Sequence, residues 1–352
     1  MTTRGTAPFA PSGGDGLAFC FVGHERYAIL DSDVRFIVRV EQMRQDRGAD
    51  GRLGTLASGG QQLPVYSLAT QLGRKPGLSS GRHIVVTVGA RDAVGWLVDR
   101  VARSARGDRL DVVPLPAVVG PSATRWFKGL LKFEENACLL VSPADLDPRA
   151  SAAAPSVTPA PRSVPVSNPR AAAGTGVAPS MIVMFASRAL PACGVDRYGL
   201  SARQVAALVP SLPSIPVPGS ARHVNGVALW REAAVPIIDF REAGARAEAG
   251  AGNRHLMVQC GARLQGTVVA LPIGADVALY RATMDDRPVV TGTSKPEFVM
   301  GVFRIGDNRL ALLDLDILVE RAGTRPRHAA AEHSGPTQPG RAPVVTANET
   351  HR

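Results

Sequence analysis

The nine residues HIVVTVGAR at His83–Arg91 return as HLMVQCGAR at His255–Arg263, shifted by 172 positions. The same shift carries Gly54 onto Gly226, Leu63-Pro64-Val65 onto Val235-Pro236-Ile237, Gly129 onto Gly301 and Asn136 onto Asn308. A register that survives that far without a gap marks a tandem duplication. Units of about 130 residues are too long for solenoid repeats and long enough for one domain each. Any fold proposed for one half must therefore suit the other.

Between the copies lies 148–179, PRASAAAPSVTPAPRSVPVSNPRAAAGTGVAP, with seven prolines and no aromatic residue. Such a stretch buries too little apolar surface to offset the entropy of ordering its backbone, which predicts a disordered Pro/Ala-rich linker. Its 32 residues span at most roughly 100 Å when extended at about 3.1 Å per residue. Residues 1–15 and 321–352 share that character and are expected to be a disordered N-terminus and tail. Two folded domains remain, 16–147 and 180–320.

Within each domain the pattern is β. Copy 1 contains LAFCFVG, RYAIL, LPVYSL, HIVVTV, VGWLVD, WFKGLLKF and NACLLVS, and copy 2 contains MIVMFAS, VPIIDF, HLMVQC, GTVVAL, FVMGVF and RLALLDL. These are short runs rich in Val, Ile and Leu, separated by Gly, Pro, Asp or Asn. Their length and close spacing point to small closed barrels. One helix per copy is also expected. Ser201–Val209 has a serine cap and apolar positions at Val205, Leu208 and Val209, and Asp31–Val38 is its weaker counterpart.

Several function classes find little support. The net charge of +10 divides as +3 in 16–147, +1 in 180–320 and +6 in the remaining segments, so most of the excess lies off the folded domains. That argues against a phosphate-tracking face, and the strands lack aromatics interleaved with basic residues. No apolar run approaches the roughly 20 residues that span a bilayer, and MTTRGTAPFAPSGGDG has no secretion-signal core. A cytoplasmic protein is expected. Cys20, Cys138, Cys193 and Cys260 form no C-x-x-C pair, and three of them lie in strand-like runs, as buried free thiols do.

Seven histidines form no H-x-x-x-H, so no metal site is expected, and His83 and His255 read as polar strand starts. There is no P-loop, no dinucleotide fingerprint and no nucleophile elbow, and Gly292-Thr293-Ser294 reads as a surface loop. Asp99, Asp239, Asp314 and Asp316 sit where carboxylates end strands or cap turns. Neither catalytic residues nor cofactor-binding residues are legible.

The motif that does carry a function is GVALWREAAVPIIDFR, 226–241, preceded by IPVPGSARHVNG, 215–226. It resembles the signature of the CheW-like family of chemotaxis coupling proteins, close to G-V-[IT]-N-L-R-G-x-x-x-P-[IV]-[IV]-D-L-R. Phe298–Phe303 and Leu310–Leu318 resemble that family's closing strand, stop and short terminal helix, so the resemblance covers essentially all of 180–320. Gly226, Arg231, Pro236 and Asp239 match the pattern, while Leu229 and Glu232 depart from it. Copy 1 is similar but degenerate. It keeps Gly54, Gly60, Pro64 and Leu68, has Gly59 in place of Arg231 and Ser67 in place of Asp239, and its approach segment EQMRQDRGADGRL is polar and prolineless.

The resemblance implies a mainly β fold, two CheW-like domains each made of two five-stranded SH3-like barrels with a hydrophobic core between them. It also implies a non-enzymatic adaptor without cofactor or metal. The implied partners are the regulatory domain of a chemotaxis histidine kinase, the cytoplasmic tip of a chemoreceptor and other CheW-like proteins, without nucleic acid or membrane insertion. The protein would be recruited to membrane receptor arrays through those partners. Arg231 is the leading partner contact, because its planar fork pairs with carboxylates and carbonyls while its stem packs. Val227, Val235, Ile237 and Asp239 are expected on the same surface, with Gly226, Pro236, Gly301, Gly54, Pro64 and Gly129 as framework. Two readings stand beside this one: a self-assembling structural module of the same fold, and a barrel-fold nucleic-acid binder or enzyme.

Overall fold

The computed structural model describes residues 16–74, 83–104, 111–133, 136–151, 181–191, 193–241, 254–282, 296–306 and 308–324. The expected linker lies outside the described residues apart from the turn of helix Pro148–Ser151, and so do residues 1–15 and the Gly292–Ser294 loop.

Each copy consists of two mainly antiparallel sheets. In copy 1 one sheet runs in the order Val112–Val113, Phe127–Phe133, Asn136–Val141, Glu25–Leu30, Leu17–Val22, Arg100–Ser104. The other runs Val34–Arg39, His83–Val88, Ala93–Val98, Gln61–Ser67, Gly54–Ser58, Met43–Gln45. Copy 2 repeats this plan with Val277–Tyr280, Ile182–Phe185, Arg197–Ser201, Asn308–Leu313, Val299–Ile305 and with Val205–Val209, Arg254–Gln259, Val268–Ile273, Ala233–Ile238, Val224–Trp230. The described sheets of copy 2 have five strands each, as the family resemblance predicts. Those of copy 1 have six, because Met43–Gln45 and Val112–Val113 add short edge strands. Where copy 1 has Met43–Gln45, copy 2 has one bridge, Ile215 to Val227.

Neither expected helix forms. Asp31–Asp33 and Ala202–Gln204 are single 3-10 turns, and the chain then continues as the strands Val34–Arg39 and Val205–Val209. In Val205–Val209 half-buried and exposed residues alternate, and the strand pairs with Arg254–Gln259. Pairing along a partner strand outweighs the weak helical preference of an Ala-containing run.

Alternation also explains why the strands are apolar throughout. Each sheet encloses its own small cluster, such as Leu17, Phe19, Leu131 and Leu140 in copy 1 or Ala228, Val235, Ile237 and Met257 in copy 2. Intervening residues, such as Ala18, Cys20, Trp96, Val227 and Ile238, face a larger central core between the sheets. Successive side chains point to opposite faces, so a strand covered on both sides needs both sets apolar.

The duplicated motif residues mark places where backbones come close. A Cβ on Gly54 would stand 2.4 Å from the Arg44 carbonyl, and one on Gly226 would stand 2.8 Å from that of Ile215. In both copies the approach segment crosses the strand that follows it at this glycine. Pro64 and Pro236 lack an N–H and stand just before Val65 and Ile237, where pairing with a parallel neighbour begins. Gly129 and Gly301 sit at equivalent bulges. At Gly129 (φ 157°) a Cβ would meet the Val113 carbonyl at 2.5 Å.

The repeated Gly-Ala-Arg is also accounted for. In copy 1 the Ala90 N–H donates to Asp147, and in copy 2 the Gly261 and Arg263 N–H groups donate to Asp316. A carboxylate from the C-terminal segment thus latches the same turn in each copy. At the constant shift Asp316 aligns with Ala144, and copy 1 takes its carboxylate from Asp147, three residues on. Two of the other aspartates are also caps: Asp99 accepts from the Gly23 N–H, and Asp314 accepts from the Ile317 N–H at the start of helix Leu315–Thr324.

Candidate functional site

The strands Val224–Trp230 and Ala233–Ile238 form a hairpin with Trp230 opposite Ala233. That register leaves two residues for the turn, Arg231 at φ 48° and Glu232 at φ 63°. A two-residue hairpin turn with both residues left-handed is the primed type that matches strand twist, and glycine or asparagine is its usual occupant. Arg231 and Glu232 are two of three non-glycine residues with positive φ among the described residues, the third being Gln265. Holding a side chain there costs on the order of 1 kcal/mol or more per residue, a cost found where a specific side chain is needed.

Arg231 lies exposed at this tip with its guanidinium 4.5 Å from the centre of the Trp230 ring. Trp230 is half-buried and packs on the apolar filling of its own sheet, beside Ala207, Val209 and Leu212. The ring thus holds the guanidinium of an arginine that is exposed to solvent. Stacking of this kind contributes about 0.5–1 kcal/mol at an exposed site and limits the positions the fork can take. Trp230 went unremarked in the sequence pattern, although Trp beside Arg at a hairpin tip was its local signal.

The other expected contacts are not on this surface. Val227 is fully buried in the central core, and Val235 and Ile237 are buried inside the sheet. A strand covered on both faces has no side left for a partner, so these residues support the tip from beneath. Asp239 is also fully buried. Its carboxylate is gripped by Arg241, with contacts of 2.6 and 3.0 Å, and its backbone N–H donates to the His223 carbonyl. That pairing raises the pKa of Arg241 above its ordinary value, although burial acts the other way. The Asp-x-Arg at the end of the motif is an internal clamp that fixes the strand's exit, and Arg241 is the residue that sequence reading passed over. Gly226 and Pro236 lie on the same hairpin as Arg231, whereas Gly301 belongs to the other sheet.

Copy 1 has the same hairpin without the decoration. Ser58 is opposite Gln61, and the turn is Gly59-Gly60 at φ 55° and 79°. Where copy 2 has the Asp239 clamp, copy 1 has Ser67, whose hydroxyl accepts from the Thr70 N–H and caps the short helix Leu68–Gln71. Exposed apolar residues are also uneven. Among the described residues copy 2 shows Leu208, Leu279 and Met300 on its strands, against Val88 in copy 1.

The described residues contain no cluster of His, Cys, Asp or Glu able to hold a metal, and no helix long and apolar enough to cross a membrane. All four cysteines are free, and burial pushes the thiols of Cys20 and Cys260 up to about 12 and Cys138 to about 11. Cys193 is only half-buried.

Comparison with known proteins finds similar sequences for both copies. A family model described as the CheW-like domain matches residues 17–148 and again 191–323. A probable chemotaxis protein CheW from Rhizobium etli is 27% identical over 128 residues, 33% of this chain and 83% of that protein. The crystal structure of the scaffolding protein TtCheW from Thermoanaerobacter tengcongensis aligns with 41% of this chain and 89% of its own, at 19% identity and a TM-score of 0.31.

Proposed function

The chain belongs to the CheW-like domain family, and from that premise we propose that it is a non-enzymatic adaptor in bacterial chemosensory signalling. It couples the regulatory domain of a chemotaxis histidine kinase to chemoreceptor tips or to other CheW-like proteins. It works in the cytoplasm and reaches the membrane only through the receptors it meets.

The observation that carries this reading is the copy 2 hairpin tip, an exposed arginine stacked on tryptophan in a turn that disfavours both of its residues. Trp and Arg are the side chains most enriched where binding energy concentrates. A guanidinium already stacked on a ring loses little freedom when it pairs with a partner's carboxylate or carbonyl. Leu208, Leu279 and Met300 add apolar area on strands of the same copy. An adaptor needs such surfaces and no reacting group.

Calorimetric titration of the intact chain with a chemotaxis kinase regulatory domain tests the proposal. Saturable binding is expected, weakened by Arg231→Asp while the thermal midpoint stays in place. Absence of binding to both the kinase domain and a receptor-tip fragment overturns the adaptor reading. Equal affinity of the Arg231→Asp protein removes that residue from the mechanism.

A further inference from the structure

The clusters inside the sheets each belong to one copy, but the central core crosses the boundary between copies. Val119 and Ala123 of copy 1 and Val217, Val224 and Leu315 of copy 2 lie in one continuous cluster. The two copies use different parts of themselves to meet. Copy 1 supplies a shoulder, the turn Ala117–Val119 and the helix Pro121–Trp126. Copy 2 supplies the approach segment that leads into its motif hairpin, together with helix Leu315–Thr324, which adjoins the Ala117–Val119 turn.

The fit is made by backbone. The Ala221 N–H donates to the Val119 carbonyl at 2.8 Å. Gly120, at φ 112°, lies so close that a Cβ would stand 3.1 Å from the Ala221 nitrogen. Gly219, at φ 70°, lies against the Trp126 ring, where a Cβ would be 2.5 Å from a ring carbon. Farther along the boundary a cleft of about 380 Å³ separates the Phe21–Tyr27 hairpin of copy 1 from Ser214–Pro216 of copy 2. Flexible surface loops that touch in passing do not need two left-handed glycines at the point of contact.

Because the copies are homologous, this contact is heterologous, one surface of the shared fold on a different surface of its duplicate. Such contacts propagate from molecule to molecule unless something stops them. The stop is legible in the corresponding loop of copy 1, which is one residue shorter between Arg44 and Gly54 than copy 2 is between Ile215 and Gly226, and which is polar, QDRGADGR at 45–52. The loop of copy 1 is instead tied to its own domain, with Arg52 paired to Asp46 at 3.2 Å and the Tyr66 hydroxyl donating to Asp50 at 3.0 Å.

We propose that the copy 1 shoulder is a docking site for the copy 2 approach segment. The two copies close on each other in cis as one block, and the copy 1 loop, shorter, polar and tied to its own domain, is barred from the same role, so assembly ends at two domains. The spacing of the copies is then set by this dock, in place of the roughly 100 Å reach expected of an extended linker. The inference concerns the chain alone and stands or falls independently of any kinase or receptor.

A protease site inserted within 152–180 of the full chain provides the test. After cleavage the halves are expected to co-elute as one particle of 36.9 kDa, and elution as two separate folded halves overturns the proposal. Gly219→Leu is expected to separate the cleaved halves, and adding Trp126→Ala, which removes the opposing ring, is expected to reunite them. Cleaved Gly219→Leu halves that stay together contradict the dock, as does a double variant that remains apart. The uncut chain is expected to stay at its monomer mass from micromolar to millimolar concentration, and growth of larger species contradicts closure at two domains.

Discussion

At the tip of the same hairpin, copy 1 has Ser58-Gly59-Gly60-Gln61 and copy 2 has Trp230-Arg231-Glu232-Ala233. The turn geometry is nearly identical, with both central residues left-handed in each copy. Copy 1 has the residues that make this turn easiest, and copy 2 has ones that make it harder, the motif's Arg231, and Glu232 where the family pattern has glycine. The reverse holds at the exit of the hairpin, where copy 2 has a buried ion pair and copy 1 a simple serine cap. The exposed arginine and the clamped carboxylate occur together in the copy that carries the family motif. The other copy keeps the framework glycines and prolines and sheds the rest. The comparison separates residues needed for folding from residues kept for contact.

The strongest way to break this comparison is at the clamp. Asp239→Ala removes a fully buried carboxylate together with its 2.6 Å contact to Arg241 and is expected to cost about 3 kcal/mol, because breaking a buried ion pair by deleting one partner is expensive. Ser67→Ala at the equivalent position is expected to cost only about 1 kcal/mol, the value of a lost helix cap. Urea denaturation of both variants measures the difference, and equal losses remove it. Next in size is the shared framework. Gly54→Ala and Gly226→Ala are each expected to lose about 2 kcal/mol, because the added methyl meets a backbone carbonyl in both copies. A silent substitution in either one means that its approach segment does not cross as described.

At the tip the signs are expected to be opposite. Glu232→Gly is expected to gain about 1 kcal/mol and Gly60→Glu to lose a similar amount, since only glycine is at ease at that φ. A loss on Glu232→Gly shows that the glutamate makes a stabilising contact of its own. The smallest effect is one of pH. Burial holds the His255 imidazole below its ordinary 6.5, so the unfolded chain takes up a proton that the folded chain resists. Stability is then full above about 6.5 and falls as the pH drops through that value, until the folded state also titrates. His255→Leu is expected to flatten that slope in melts recorded across the range, and an unchanged slope assigns it to other groups.

Much of this was legible in the sequence because its physical cause is local. The constant shift found Gly54, Gly226, Pro64, Pro236, Gly129 and Gly301, and each proves to stand at a crossing, the start of a parallel pairing or a bulge. The shift does not reach the first strand. Ile182–Phe185 is joined to Arg197–Ser201 by residues 186–196, where copy 1 uses the turn Gly23-His24. The two helices expected at Asp31 and Ser201 failed because strand pairing is non-local and a nine-residue window does not contain it. Val227, Val235 and Ile237 were misplaced for a related reason: alternation reveals a strand but not that both of its faces are covered. Arg241 and Trp230 were overlooked because their importance comes from a neighbour, the Asp239 carboxylate in one case and the Arg231 guanidinium in the other. The contact between copies rests on Gly219 and Gly120, which are 99 positions apart in the chain, and no periodicity connects them.

The most direct test of the central claim exchanges the tips. In the full chain, Trp230→Ser, Arg231→Gly and Glu232→Gly together give copy 2 the turn of copy 1 with the clamp and framework intact. Titration of this variant against a chemotaxis kinase regulatory domain is predicted to show affinity at least about tenfold weaker, a change of about 1.4 kcal/mol, with the fold retained as judged by circular dichroism. Undiminished affinity would contradict the claim that this hairpin tip is where the protein makes its contact.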